Sequence, residues 1–224
     1  YCSAPLNNLG WHMTVEKFVG IEVPKRASYL RIIIMELARI ADHIVCNSIM
    51  GVDTGAFTGF LYMMKYRELV YEIYEEICGS RLTTNIGRIG GFERDFSDKK
   101  KKKINRFVAE FPDVLTEFNN LFVRNRIFMD RTQGVGGISA ERALNYGFTG
   151  PNLRAAGVDY DLRVAKPYSR YEEFEFDIPV GTTGDCYDRF MVRGQEMWQS
   201  LSIIKQAIAK IDALEGEEAT NPGN

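Results

Sequence analysis

The chain is poor in the residues that build metal and disulfide centres. Its 224 residues include two histidines, His12 and His43, and four cysteines, Cys2, Cys46, Cys78 and Cys186. No two cysteines fall at CxxC spacing, which excludes a disulfide framework and the usual zinc or iron–sulfur ligand sets, and a reducing compartment is expected. No apolar run approaches the roughly 18 residues of a membrane span. The densest, Ile32 to Met35, is bracketed by Arg31 and Glu36. There is no signal-peptide pattern, so work at a membrane would require docking by partners. The net charge of -2 excludes a strong field toward nucleic acid or acidic lipid. The run Lys99 to Lys103 therefore reads as a solvated face. The chain starts at Tyr1 without Met, and from Gly216 it is polar and unperiodic. A fragment, or the ordered part, of a longer protein is expected.

What is present is helical pattern. Hydrophobic residues make up 45% and charged residues 26%, the composition of a soluble domain. After Pro24, the positions Leu30, Ile33, Ile34, Leu37, Ala41, Ile44 and Val45 repeat at helical spacing, with Arg31, Arg39 and Asp42 assigned to the opposite face. Gly51 and Gly55 break this helix around Asp53. Tyr62, Tyr66, Leu69, Ile73 and Ile77 mark a second helix, which Gly79 stops. Residues 80–95 read as a loop with Gly87, Gly90 and Gly91. This is no phosphate loop, because the Lys-Ser/Thr that would follow is missing. Ile104, Phe107, Phe111, Leu115, Phe118 and Phe122 mark a third helix, capped by Ser97 and kinked at Pro112. Phe190 to Ile211 carry a last one. Residues 134–184 are mixed, and the alternation from Tyr171 to Pro179 predicts a strand or hairpin. The expected architecture is mainly α: a bundle of long helices over 1–213 with a small irregular, partly β insertion at 134–184. A polar tail at 214–224 is expected to be disordered.

Several segments together resemble the D-type subunit of bacterial complex I, the NADH-quinone oxidoreductase. Ala27 to Asp53 resembles that family's R-x-x-x-x-E-L-x-R-I-x-x-H-L helix, ending at an aspartate in a Gly-rich break. Asn85 to Gly91 resembles its R-I-G-G loop, and Thr149 to Gly157 its T-G-x-x-L-R-A-x-G segment. Asp161 to Arg163, Pro167 to Tyr171 and Gly184 to Arg189 resemble D-x-R, P-Y-x-x-Y and G-D-x-x-D-R. Order and spacing agree over nearly the whole chain. The family is related to nickel–iron hydrogenase large subunits, so a hydrogenase large-subunit-like fold is implied.

The resemblance implies a role at a quinone-reduction pocket, which needs two electrons and two protons at a buried headgroup. Tyr1 matches the family's headgroup tyrosine, a neutral hydrogen-bond donor. The second headgroup ligand, a His, lies upstream of the residues present here. Asp53 matches the aspartate that pairs with that His. Thr83 and Thr84 stand where many relatives carry two histidines, the first beside the terminal iron–sulfur cluster of a partner subunit. Thr cannot titrate, so a lower, nearly pH-independent cluster potential is expected, suited to menaquinone. Arg88 is expected near the same cluster or cavity, where its guanidinium would stabilise added negative charge.

The implied function is quinone-site formation in the peripheral arm of a proton-translocating NADH:quinone oxidoreductase, on the cytoplasmic face of the bacterial inner membrane. The implied partners are the cluster-bearing subunit, other peripheral-arm subunits and a membrane subunit that closes the pocket. No metal, cluster or flavin is expected on this chain, and the fragment alone is expected to be inactive. Two other readings remain. A membrane-bound nickel–iron hydrogenase large subunit would need paired CxxC motifs, and Pro5 occupies the place of the partner of Cys2. A non-catalytic helical scaffold would need no site at all.

Overall fold

The computed structural model describes residues 2–92, 94–214 and 216–219. Four long helices and a shorter first helix dominate: α1 (Ala4–Val19), α2 (Lys25–Asp53), α3 (Phe57–Cys78), α4 (Asp98–Phe122) and α9 (Cys186–Ala213). Between α3 and α4 lies a two-stranded antiparallel hairpin, β1 (Gly87–Arg88) and β2 (Gly91–Phe92), with Gly87 opposite Phe92. Four short helices follow α4: α5 (Arg126–Thr132), α6 (Ala140–Asn145), α7 (Gly150–Ala155) and α8 (Leu162–Ala165), then a 3-10 turn at Tyr171–Glu173. The mainly α architecture is as the periodicity predicts.

α2 runs through the middle, packed against α1, α3 and α9. The expectation that Arg31 lies on its outward face is overturned. Every residue from Arg26 to Ala38 is buried, Arg31 at 1% exposure and Glu36 at 0%. Surrounded on all sides, the helix must pair its charges internally. Close helix approach comes from small residues. A Cβ at Gly59 would stand 2.5 Å from the Phe122 ring and one at Gly51 2.9 Å, so α2 and α3 fold their glycines around that ring. Phe122 in turn meets Phe118, Phe128 and Phe190 at ring-centroid distances of 4.7, 5.2 and 5.6 Å, an aromatic cluster under the α2–α3 corner.

Two local expectations change. The strand predicted from Tyr171 to Pro179 is absent, and a 3-10 turn followed by irregular chain takes its place. Side chains of α9 bond this segment's backbone: Gln206 accepts from Glu175 N and donates to its carbonyl, and Gln199 accepts from Asp177 N. With those groups bonded, no partner strand is required. The β structure appears instead within the expected loop at 80–95, where Gly90 at φ 83° makes the tight reversal. Ser97 occupies the N-cap position of α4 without a side-chain capping bond. Gly79 ends α3 in the left-handed conformation, as predicted. Lys99 and Lys103 pair with Glu76 and Lys101 with Asp212, in keeping with a solvated face. Of the polar tail, Ala219 is buried and accepts a hydrogen bond from Phe92 N.

Candidate functional site

The R-I-G-G hairpin is held by one buried ion pair. Arg31 of α2 makes two bonds to Glu16 of α1, Nη1–Oε2 at 2.9 Å and Nη2–Oε1 at 2.6 Å. The same guanidinium donates to the carbonyls of Arg88 and Gly91, and Gly90 N donates back to Glu16 Oε1 at 2.7 Å. The tip of the loop is thus fixed through its backbone, and the Arg88 side chain turns to the carbonyls of Asn85 and Gly87. Burial opposes ionisation of Glu16, but the bonds from Arg31 and Gly90 hold its carboxyl below the ordinary carboxylate range. His12, one turn earlier on α1, packs its ring against Gly87. Its Nδ1 is buried without a hydrogen-bond partner among the described residues, and burial lowers its pKa.

A longer charged network crosses the core between α2 and α9. His43 Nε2 meets Glu196 Oε2 at 2.7 Å, and Arg154 of α7 binds the other carboxylate oxygen. Arg154 also lies 3.6 Å from Asp161, which grips Arg163 at 2.7 Å. Arg163 reaches Glu36, which takes further bonds from Tyr171 OH at 2.5 Å and Ser200 Oγ at 2.6 Å. The T-G-x-x-L-R, D-x-R and P-Y-x-x-Y segments therefore meet in one buried chain through Arg154, Asp161, Arg163 and Tyr171. Burial alone would raise the Glu36 pKa, but Arg39 and Arg163 pull it below the usual range. Asp161 is held at about 2 by its bonds from Arg163, against the opposing effect of burial. Sequence reasoning matched these motifs but did not assign their charges to each other. The available signal was the number of Arg and acidic residues inside otherwise core-like segments.

Beside α1, α2 and residues 162–172 opens a cleft of about 1080 Å³, with Met13, Lys17, Arg31, Tyr168 and Arg170 in its wall. Neither Asp53, Thr83 nor Arg88 lines it.

The residues proposed from sequence fall in different places. Tyr1 lies outside the described residues. Asp53 is the last residue of α2, exposed, at the C-terminal end where a helix dipole disfavours a carboxylate by about 0.3–1 kcal/mol. No hydrogen bond or ion pair joins it to another described residue. Nor does it cap α3, whose N-cap is Ala56. The turn after it is fixed by other groups: Arg131 donates to Thr54 O at 2.6 Å, and Ala56 N to Gly51 O at 2.7 Å. Thr83 is exposed and Thr84 buried, with Asn8 donating to the Thr84 carbonyl. Asp53 and Arg88 are not brought together. Arg31, which holds the Arg88 carbonyl, precedes Asp53 by about 33 Å of helix at ~1.5 Å rise per residue. The two ends of α2 therefore carry two separate groups of candidates.

The segments that meet in this core decide the relationship. Residues 53–222 match the family described as Respiratory-chain NADH dehydrogenase, 49 Kd subunit. The chain belongs to this family. It is 73% identical over 214 residues to the second D-type subunit of NADH-quinone oxidoreductase from Cytophaga hutchinsonii, covering 96% of this chain and 54% of that protein. It is 69% identical over 213 residues to the D-type subunit of NADH-quinone oxidoreductase from Flavobacterium johnsoniae, covering 95% and 52%. The corresponding NADH-quinone oxidoreductase protein of Leptospira biflexa is 53% identical over 208 residues, covering 93% and 51%. The chain spans about half the length of the curated relatives it matches. Among the described residues no helix is long and apolar enough to cross a membrane. In this family member α2 is the spine: it carries the hairpin clamp near one end and the free carboxylate at the other.

Proposed function

We propose that this chain forms part of the quinone-reduction site of a proton-translocating NADH:quinone oxidoreductase. Electrons pass from an iron–sulfur cluster in a partner subunit to quinone, with menaquinone as the favoured acceptor. The subunit sits peripherally on the cytoplasmic face of the bacterial inner membrane, against the cluster-bearing subunit and a membrane subunit that closes the pocket.

The observation that carries this reading is the placement of Asp53. A carboxylate that is exposed, sits at the unfavourable end of a helix dipole and bonds no described residue gains nothing locally. Its chemistry suits an imidazole supplied from outside the described chain: pairing raises the pKa of the imidazole and fixes its orientation. Loss of a proton from that His to reduced quinone changes the charge balance of the pair and is the proposed trigger for coupling. Tyr1 is assigned the other headgroup hydrogen bond. Thr83, ahead of the clamped hairpin, and Arg88, on it, are assigned to the side of the partner's cluster.

The test is Asp53→Asn in the assembled complex. Quinone reduction should fall by at least tenfold, because Asp53 acts by positioning the His, while a direct general acid or base contributes about 10²–10⁴-fold. Turnover equal to the unmodified complex, with assembly intact, removes the assignment.

A further inference from the structure

Midway along α2, between the two candidate ends, is a polar cluster that none of the roles above employs. Asp42 faces three side chains of α3: Arg67, Tyr71 and Tyr74. In each of the four a buried polar atom has no hydrogen-bond partner among the described residues: Asp42 Oδ1, Arg67 Nε and both phenolic oxygens. Tyr74 is 2% exposed and Tyr71 8%. The groups are close to one another. The Arg67 guanidinium lies 4.7 Å from the Tyr71 ring centroid, and the two rings are 6.4 Å apart. Asp42, Tyr71 and Arg67 all act electrostatically on the Tyr74 hydroxyl.

An unsatisfied buried polar group costs about 1–3 kcal/mol, and folded proteins satisfy more than about 90% of them. Four such atoms gathered between two helices have the chemistry that internal water satisfies, since a buried water takes two to four polar partners. The chemistry is selective. Arg67 Nε can only donate, a carboxylate oxygen accepts, and each phenol does both, so a water chain closes from donor to acceptor. The chain's amino terminus, Arg39 on α2, and Glu68 and Cys78 on α3 are further titratable groups that act on these side chains. Cys2, just ahead of α1, acts on the Tyr71 hydroxyl from the side of the chain's amino end.

We propose that Asp42, Tyr71, Tyr74 and Arg67 hold internal water and that Asp42 is a proton-holding group that supplies the quinone site. This rests on the quinone-site reading above. Asp42 releases one proton to the shared water, becomes a carboxylate facing Arg67, and takes one proton back between turnovers. Both phenols remain neutral throughout, since burial raises their pKa values. Burial likewise raises that of Asp42 over the opposing charges of Arg67, the chain's amino terminus and Arg39, so the carboxyl binds a proton more readily than an exposed one.

The experiment is infrared difference spectroscopy and quinone turnover on the assembled complex, with Asp42→Asn, Tyr74→Phe and Asp53→Asn compared. Asp42→Asn should abolish a carboxylic-acid C=O band that shifts in heavy water, and slow turnover by roughly tenfold with KM unchanged, less than a direct general acid contributes. Tyr74→Phe should keep the band and shift it. An Asp42→Asn complex with the same bands, rate and pH profile as the unmodified one overturns the proposal, whatever Asp53→Asn does. Lost band and rate in Asp42→Asn beside normal turnover in Asp53→Asn would uphold the proton-holding role and remove the assignment of Asp53.

Discussion

His43 and Glu196 meet at 2.7 Å inside the protein, and the second oxygen of that carboxylate is bound by Arg154. The pair fixes α2 to α9, and Arg154 ties α7 to both. A neutral imidazole suffices for this contact, donating from Nε2. Burial lowers the His43 pKa below its ordinary value, although Glu196 pulls the other way. Burial opposes ionisation of Glu196, but the bond from His43 and the charge of Arg154 hold its carboxyl at about 2.

Acid should therefore loosen this interface in two stages. Both groups have folded pKa values below their unfolded ones, so the unfolded chain binds more protons and stability falls as pH falls. For His43 the loss begins below about 6.5; for Glu196 and Asp161 it runs from about 4 toward 2. Protection factors of α2 and α9 amides in the assembled complex, corrected for the intrinsic pH dependence of exchange, should fall below about pH 6.5. In His43→Gln that first stage should vanish while the second remains.

The hairpin clamp predicts a strong asymmetry. Arg31→Met leaves Glu16 buried with Gly90 N as its remaining donor, and breaking such a pair costs about 3–5 kcal/mol. Arg31→Met with Glu16→Leu should recover much of that loss, because no unpaired charge is left inside. Exchange protection at Gly87 to Phe92 reports the outcome. Equal loss in the single and double variants would refute the clamp.

Gly59→Ala should destabilise by about 1–3 kcal/mol, because the new methyl meets the Phe122 ring at 2.5 Å. Phe122→Leu in the same chain should relieve part of it, a coupling that a double-mutant cycle measures directly. Gly10→Ala, where the same methyl meets nothing within 4 Å, is the matched control and should be neutral or stabilising.

Thr83 carries a redox prediction. Potentiometric titration of the partner's terminal cluster at several pH values should give a slope near zero. Thr83→His should introduce a pH dependence, since reduction then favours protonation of a neighbouring imidazole. A slope near one proton per electron in the unmodified complex would show that another group titrates with the cluster.

The helices and the family were legible from the order of residues alone. The stripes Leu30 to Val45, Tyr62 to Ile77, Ile104 to Phe122 and Phe190 to Ile211 are local periodicities, and a helix follows from its own residues once one face is covered. The Gly79 stop is equally local. What charges and loops do was settled in three dimensions, because it depends on neighbours far along the chain. Arg31 looks solvent-facing until Glu16 and the Gly91 carbonyl arrive from two other elements. Tyr171 to Pro179 alternates like a strand, yet Gln199 and Gln206 of α9 bond its backbone first. Asp53 and Arg88 are both readable as site residues, but only the long run of α2 places them far apart. The orphaned atoms around Asp42 carry no sequence signal, since a missing hydrogen bond exists only once two helices have closed over it.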